Sequence, residues 1–228
     1  MGGQACVLYG AAEFSRDLDL ALLPDPANLE QLDGALRELD ATSIAVPPPD
    51  LAHLQAGLAI HFRCQRADVA GLRIDIMTHM RGVAPFDDLW ARRTTFMFGE
   101  ETIEAMGLPD LVIAKKTQRD KDWPMIRRLV DANYLNHRHE PTPERVLFWL
   151  RELRTPELLM EVIAQHQDVS NAVSDERPLL RGDAGGPTID SLASALHEEQ
   201  AAERQRDAAY WKPRREQLER LRRAVVRG

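Results

Sequence analysis

The sequence lacks the features that mark several large classes of protein. Its 228 residues contain two cysteines, Cys6 and Cys64, which are too few for a disulfide framework and indicate a reducing compartment. No apolar run approaches the roughly 20 residues of a membrane-spanning helix. The N-terminus lacks the pattern of a signal peptide, and no nucleophile elbow, Walker-type loop or dinucleotide fingerprint is present. We therefore predict a cytoplasmic protein.

The charge of the chain is unevenly distributed. The net charge is −7, which excludes a uniformly basic nucleic-acid-binding protein. Residues 203–227 nevertheless hold nine basic and four acidic residues, a net charge of +5, so that the rest of the chain carries −12. Two interpretations of this basic tail stay open: an adaptor surface that grips RNA, or a solvated helix whose charges pair four residues apart.

The hydropathy pattern predicts an α+β fold. Apolar residues make up 44% of the chain, too many for intrinsic disorder. Apolar and polar residues alternate in segments 14–23, 60–64 and 72–77, which predicts three strands with one buried face each, the last two being an antiparallel pair. We expect a small mixed or antiparallel sheet with flanking helices, followed by a helical C-terminal region.

The same pattern divides the chain into four parts. An α/β domain is expected over residues 1–105 and a helical region over residues 106–180, where one helix runs from Pro109 through about Arg119. The glycine-rich composition of residues 181–190 predicts a flexible linker. A charged, largely helical tail is expected over residues 191–228.

Three aspartates lie on the polar faces of predicted strands. Asp17 and Asp19 are two residues apart, so their side chains point the same way, with Cα atoms about 6–7 Å apart. Asp75 is the polar residue between Ile74 and Ile76. Neighbouring carboxylates repel unless a cation lies between them, so the three predict a site for one or two Mg²⁺ ions. A solvated strand face is the alternative for each aspartate taken alone.

A Gly-Gly pair precedes the acidic pair. Gly2 and Gly3 lead into a short helix predicted from Gln4 to Tyr9, and glycines allow a phosphate to approach the backbone. Each of these elements is common in proteins. The order of a phosphate cradle, an acidic pair and a third acid is more specific, and it indicates phosphoryl or nucleotidyl transfer.

The residues around these motifs resemble a known family. The segments concerned are residues 2–5, 9–10, 15–20, 72–76, 108–116 and 119–122. They resemble motifs of the nucleotidyltransferase superfamily, which has the polymerase-beta-like fold. The similar features are the glycine and acid motifs, the strand with the third carboxylate, and the lysine-containing helix with the basic turn that follows it. The resemblance covers about residues 2–130 and is greatest to the minimal and toxin-type bacterial branch.

The resemblance implies a chemistry and a set of site residues. A nucleoside monophosphate would pass from an NTP to a hydroxyl group, with loss of pyrophosphate. Asp17 and Asp19 would hold Mg²⁺, and Asp75 would complete the metal site and polarise the acceptor, so these three are the implied catalytic residues. The residues implied in nucleotide binding are Gly2, Gly3, Ser15, Arg16, Lys115, Lys116 and Arg119.

The cations that follow the sheet allow two interpretations. Lys115, Arg119 and Asp122 recur at i, i+4 and i+7, which places them on one face if the helix continues that far. In the family such cations would neutralise phosphate charge, and the sequence does not choose between Lys115 and Lys116. Alternatively, the cations lie at a solvated helix end and Asp122 caps the next helix.

Two functions are compatible with the resemblance. One is a nucleotidyltransferase, toxin-like in character, whose acceptor is an RNA end, a protein or a small molecule. The other is a catalytically silent member that acts as a binding partner in a toxin–antitoxin or regulatory complex. Relatives normally place a strand before the Gly-Gly pair, so the chain is expected either to be truncated or to dispense with it. Many relatives also have an arginine near the position of Glu13, where an acid is expected to weaken the grip on a triphosphate unless Arg16 substitutes.

Overall fold

The alternating segments of the sequence form a four-stranded sheet in the computed structural model. The structure describes residues 1–181 and 186–227, the side chains of 225–227 excepted, so residues 182–185 of the predicted linker lie outside the described residues. The strands are β1 (Asp17–Ala21), β2 (Ala41–Ser43), β3 (Ile60–Cys64) and β4 (Arg73–Met77). In the order β1-β4-β3-β2, β1 runs parallel to β4, and β3 runs antiparallel to both of its neighbours. The predicted α+β class and mixed sheet are confirmed.

One face of this sheet is buried because apolar side chains alternate along its strands. Ile60, Phe62 and Ile74 are no more than 3% exposed. A helix that precedes β2 packs its leucines, among them Leu32 and Leu36, against the same core. Burial of one face leaves the polar residues of β1, β3 and β4 together on the other.

A hairpin that the alternation does not predict follows the main sheet. Strands β5 (Thr94–Phe98) and β6 (Glu101–Ala105) pair antiparallel as a separate two-stranded sheet. Phe96 packs edge-on against Tyr9, with ring centroids 5.2 Å apart, whereas Phe98 is 52% exposed. The hairpin has exposed as well as packed apolar residues. Its sequence therefore does not show the regular alternation of apolar and polar residues that marks a strand with one buried face.

Helices flank the sheets and form the C-terminal region. In chain order the described residues form α1 (Gly2–Leu8), α2 (Pro26–Glu38), α3 (Leu51–Gln55), α4 (Phe86–Ala91), α5 (Leu108–Lys115), α6 (Asp122–His137), α7 (Pro143–Glu152), α8 (Pro156–Gln165), α9 (Gln167–Val173) and α10 (Ile189–Arg227). None of these helices is long and apolar enough to cross a membrane. The predicted helical C-terminal region is confirmed.

The helix predicted through Arg119 is shorter than expected. Helix α5 ends at Lys115, where the backbone N–H of Thr117 turns back to donate to the Lys115 carbonyl at 2.7 Å. The Thr117 hydroxyl then accepts from the Arg119 N–H at 3.1 Å, a side-chain bond that competes with the helical pattern. Helix α6 begins at Asp122, so the prediction of a helix through about Arg119 is wrong, and the condition for a shared helix face is not met.

The chain folds into two compact units. The sheet unit consists of Met1–Ala114 together with the chain from Ala208 onward, and the helical unit consists of Lys115–Asp207. The sheet unit contains both sheets. The helical unit has its own core, in which the rings of Tyr134 and Trp149 meet edge to face with centroids 5.1 Å apart. The domain boundaries predicted at residues 105, 180 and 190 stay predictions.

Candidate active site

The polar face of the main sheet gathers the three predicted acids on two adjacent strands. In the parallel pairing of β1 with β4, Asp19 lies opposite Asp75 and Asp17 lies opposite Arg73. In the antiparallel pairing of β3 with β4, His61 lies opposite Asp75. Side chains directly opposite one another on adjacent strands share a face and are close enough to interact. The structure thus brings the aspartates together and adds a cation and an imidazole to them.

Two residues that the sequence analysis left unassigned hold Asp75 in place. Arg73 donates from Nε to Asp75 Oδ1 at 2.7 Å. His61 Nδ1 lies 2.8 Å from the same oxygen and donates to it when the ring proton is on Nδ1. Both donors converge on Oδ1, so the carboxylate has a fixed orientation. The signal was present in the sequence, since Arg73 is two residues before Asp75 on the same strand.

The charges of this face favour the ionised form of each partner. Burial raises the pKa of Asp75, but the hydrogen bonds from His61 and Arg73 outweigh it and leave the pKa below its ordinary value. The hydrogen bond to Asp75 raises the pKa of Arg73, and the nearby charges of Asp17 and Asp19 add to this effect. The ion pair between Arg73 and Asp75 is thus stabilised on this face of the sheet.

The Gly-Gly pair packs directly against the acidic strand. Gly2 has φ +67°, and a Cβ built on it would lie 1.8 Å from Asp19 Oδ2. A Cβ on Gly3 would lie 2.3 Å from Ser15 Oγ, and the Gly3 N–H donates to Asp19 Oδ2 at 3.3 Å. Glycine is required here because larger residues would collide with the site. Helix α1 begins at Gly2, so the Gly-Gly pair forms its first turn. The prediction that the pair forms a turn before a helix starting at Gln4 is therefore wrong.

Replacing Gly2 by alanine is expected to lower the free energy of unfolding by about 1–3 kcal/mol, because it adds both left-handed backbone strain and a collision with Asp19. Urea unfolding followed by circular dichroism measures the change. The matched control is Gly34→Ala within helix α2, where a new Cβ meets nothing within 4 Å. That control is expected to stabilise the chain by about 0.4–1 kcal/mol. Equal stability of the two variants would contradict the close packing of Gly2.

Ser15 and Arg16 lie just before the acidic strand. The Ser15 hydroxyl donates to the Asp17 carbonyl at 3.1 Å, which fixes the loop that enters β1. Arg16 is exposed, and its guanidinium lies 5.9 Å from the ring centroid of Phe14, itself 66% exposed. Ser15 is thus close to the Gly-Gly pair, whereas the Arg16 side chain is directed to the surface.

The predicted basic cluster belongs to the helical unit and is built around a buried acid. Asp122 accepts from Lys115 Nζ at 3.2 Å and from Arg119 Nε at 2.8 Å, and the Thr117 hydroxyl donates to it as well. Its side chain is 1% exposed. Burial raises the pKa of Asp122, but the Lys115 charge, the Thr117 bond and the Arg119 charge outweigh it and hold the pKa below its ordinary value. The loop, rather than a continuous helix, brings the three residues together.

The cations of this cluster differ in their access to solvent. The Lys115 side chain is 8% exposed and is paired with Asp122. Lys116 is paired with Glu152 at 2.7 Å. The Arg119 side chain is 54% exposed. Of the three predicted phosphate-binding cations, Arg119 therefore presents the most accessible charge.

The acids of the sheet match a divalent cation in the chemistry of their donor atoms alone. Carboxylate oxygens are the ligands that Mg²⁺ prefers, and Asp19 and Asp75 face the same side from adjacent strands. The Asp19 carboxylate itself occupies the space that a Cβ of Gly2 would take. Over residues 1–181 and 186–227, no group of three or more His, Cys, Asp or Glu side chains is arranged to hold a metal ion. In the arrangement present, Oδ1 of Asp75 is bonded to Arg73 and His61.

No protein-family model, curated protein or solved structure matches the chain. An assignment of function therefore depends on the fold and on the residues of the polar face.

Proposed function

We propose that the chain is a Mg²⁺-dependent nucleotidyltransferase that moves a nucleoside monophosphate from an NTP to a hydroxyl acceptor. The observation that carries the proposal is the polar face of the main sheet. Asp17, Asp19 and Asp75 project from two adjacent strands, and a Gly-Gly pair makes room for the Asp19 and Ser15 side chains beside them. Mg²⁺, when bound, neutralises phosphate charge and orients the reacting oxygens.

Each acid has a role that follows from its surroundings. Asp17 and Asp19 are the residues that would hold the metal, and Asp75 would complete its site. Asp75 is oriented by Arg73 and His61 through Oδ1, which leaves Oδ2 to accept the hydrogen of the acceptor hydroxyl. The hydroxyl oxygen then bonds to the α-phosphorus, the bond to pyrophosphate breaks, and the hydroxyl proton passes to the carboxylate or to water.

The remaining predicted residues serve the triphosphate in this proposal. Gly2 and Gly3 make room for the Asp19 and Ser15 side chains, and Ser15 and Arg16 lie just before the acidic strand. For Arg119, in the helical unit, phosphate binding stays a prediction that its exposed guanidinium suits. For Lys115 and Lys116, of the same unit, it also stays a prediction, and both are held in ion pairs with Asp122 and Glu152.

The acceptor class that we propose is an RNA end, a protein side chain or a small molecule, and the protein acts in the manner of a toxin with a cognate partner. We also propose that it works in the cytoplasm. Both cysteines are buried and neither forms a disulfide, a state suited to a reducing compartment.

A catalytically silent binding protein is the alternative, and one observation favours it. Arg73 and His61 already occupy Oδ1 of Asp75, an arrangement that resembles a structural ion pair as much as a catalytic one. Such a protein would keep the fold, bind a partner in a toxin–antitoxin or regulatory complex, and transfer no label.

Label transfer separates the two functions. The protein is incubated with Mg²⁺, cell extract and each of the four NTPs, labelled in separate reactions on the α- or the γ-phosphate. We expect the α-label to appear on an acceptor and the γ-label to remain soluble, because pyrophosphate leaves. EDTA is expected to abolish the transfer. Absence of α-label transfer from every NTP would contradict the proposal and favour the silent protein.

A further inference from the structure

The end of helix α10 differs in charge from the rest of the unit to which it belongs. Residues 208–224 of this helix, here called the distal segment, lie in the sheet unit together with residues 1–114. Residues 1–114 hold 8 basic and 17 acidic residues, a net charge of −9, whereas the distal segment holds 6 basic and 2 acidic residues, a net charge of +4. Within this unit, a polyanion is therefore attracted to the distal segment and repelled by the remainder.

One side of the distal segment is fixed by packing. The guanidinium of Arg214 lies over the ring of Tyr210, 4.3 Å from its centroid, and Arg214 Nε lies 3.1 Å from the Cβ position of Gly57. Leu218 and Leu221 are half-buried and follow Arg214 at i+4 and i+7, so they lie on the same side of the helix. The sheet unit thus holds the segment in a defined orientation, with its other side facing solvent.

The solvent-facing side is predominantly basic. It carries five cations and two acids, a net charge of +3. These exposed charged residues are Lys212, Arg215, Glu216, Glu219, Arg220, Arg222 and Arg223. The 11 residues from the first to the last of them cover about 16 Å of helix, at 1.5 Å for each residue. A surface of that length can contact several phosphates of one nucleic-acid strand.

Ion pairs within the helix leave most of these charges unused. Glu216 lies four residues from both Lys212 and Arg220, yet in the described part of the chain no ion pair joins it to either of them. Arg222 is paired with Glu219, three residues away, at 3.5 Å, and both of these side chains are more than half exposed. The interpretation as a solvated helix predicts pairs four residues apart, so the structure favours the other interpretation that the sequence left open.

The exposed side chains suit a phosphate backbone better than a lipid surface. A guanidinium donates in a fork that matches phosphate oxygens. An amphipathic helix that binds lipid needs a free apolar face, whereas the exposed uncharged residues of the distal segment are Ala209, Pro213 and Ala224. One helix face has the width of a single strand, and RNA presents single strands in its loops and at its ends.

We propose that the exposed face of the distal segment binds RNA through its phosphates, without reading the base sequence. The surface includes no residue of the polar face of the main sheet. It therefore binds RNA whether or not the chain transfers nucleotides, and the label-transfer assay does not decide this inference.

Fluorescence anisotropy with a fluorescein-labelled oligouridylate of about 20 nucleotides tests the proposal. We expect the logarithm of Kd to rise linearly with the logarithm of the KCl concentration between about 50 and 200 mM, with a slope of about 2–3. Replacing both Arg220 and Arg223 by glutamine is expected to weaken binding about tenfold at the lowest salt concentration. The same change is expected to lower the slope by about 1.4, because each lost phosphate contact accounts for about 0.7.

Two further variants separate charge from folding. Replacing both Arg220 and Arg223 by lysine keeps the charge and is expected to leave Kd within about threefold of the wild-type value. Replacing both Glu216 and Glu219 by glutamine removes the acids of the same face and is expected to tighten binding about threefold. Circular dichroism checks that every variant is folded. Weaker binding by this glutamate double variant would overturn the proposal.

The matched control is the double variant Arg37→Gln with Arg63→Gln. Both arginines are exposed, and they lie on helix α2 and strand β3 of the same unit, so the control removes an equal charge from another place. We expect it to change Kd by less than about twofold. Equal weakening by this control and by the Arg220 and Arg223 glutamine variant would assign binding to net charge and overturn the proposal.

Other outcomes also contradict the proposal. Failure of the wild type to bind oligouridylate, or binding that does not depend on salt, overturns it. Tighter binding to oligothymidylate of the same length would overturn the choice of RNA. Displacement of the RNA by vesicles of phosphatidylcholine and phosphatidylserine would indicate a lipid surface instead.

Discussion

Replacing Asp17 and Asp19 together by asparagine is expected to reduce label transfer at least about 1,000-fold. Asparagine keeps the shape of each side chain but removes two of the three negative charges on the polar face. Metal binding depends on those charges, whereas the buried face of the sheet does not. The reaction is measured as the initial rate of α-label transfer at saturating Mg²⁺.

The fold of this double variant is expected to persist. Both side chains are half-buried on the polar face, and two like charges on one strand repel one another. Their removal should therefore leave the free energy of unfolding unchanged or slightly higher. The matched control is Asp87→Asn with Asp88→Asn, two exposed acids at the start of helix α4, which should keep the wild-type rate. Wild-type transfer by the Asp17 and Asp19 double variant would remove the basis of the proposed function.

Replacing Asp122 by alanine is expected to lower the free energy of unfolding by about 3–5 kcal/mol. The change leaves Lys115 buried without its partner and removes the acceptor for Thr117 and Arg119. An uncompensated buried ammonium is costly, and the loop between α5 and α6 loses the group that organises it. Urea unfolding followed by circular dichroism gives the difference.

A neighbouring aspartate supplies the control for this measurement. Asp120 lies two residues earlier in the same loop, is paired with Arg204, and its side chain is 90% exposed. Asp120→Ala is expected to change the free energy of unfolding by less than about 0.5 kcal/mol, as surface substitutions do. A small effect of Asp122→Ala would contradict the view that buried pairing holds this loop.

Lowering the pH should reveal the contribution of the ionised Asp122 carboxylate to stability. The pKa of Asp122 in the folded protein lies below the ordinary value of an aspartate, so its contribution to stability is fully present above that ordinary value. The contribution is lost as the pH falls through the folded pKa, because the carboxylate must then take up a proton. Between pH 5 and about pH 2.5 the melting temperature of the wild type should therefore fall more steeply than that of Asp122→Ala. If the melting temperatures of the two proteins fell in parallel with pH, the inferred lowering of the Asp122 pKa would be contradicted.

Much of the polar face follows from local pattern. The alternation around Asp17, Asp19 and Asp75 determines which side of each strand they occupy, and two residues of spacing are enough for that. The contact between His61 and Asp75 has a different origin. It depends on the antiparallel pairing of β3 with β4, which brings residues 14 positions apart in the chain to opposite places on adjacent strands.

The loop after helix α5 shows the limit of periodicity most clearly. The spacing of Lys115, Arg119 and Asp122 is helical, and the three residues do meet. They meet because a buried carboxylate collects donors from an irregular loop, a tertiary effect that no helical period encodes. The β5–β6 hairpin was not predicted either. Several of its apolar side chains are exposed, so its apolar residues do not mark one buried face.

The division of the sheet unit between both ends of the chain has a consequence for its synthesis. All of its strands are translated before residue 106, but the unit also includes the chain from Ala208 onward, where Arg214 stacks over Tyr210 and lies 3.1 Å from the Cβ position of Gly57. The nascent sheet must therefore wait for the whole helical unit to be made before its last packing partners leave the ribosome. A stop codon within the helical unit would damage a sheet that is encoded entirely upstream of it.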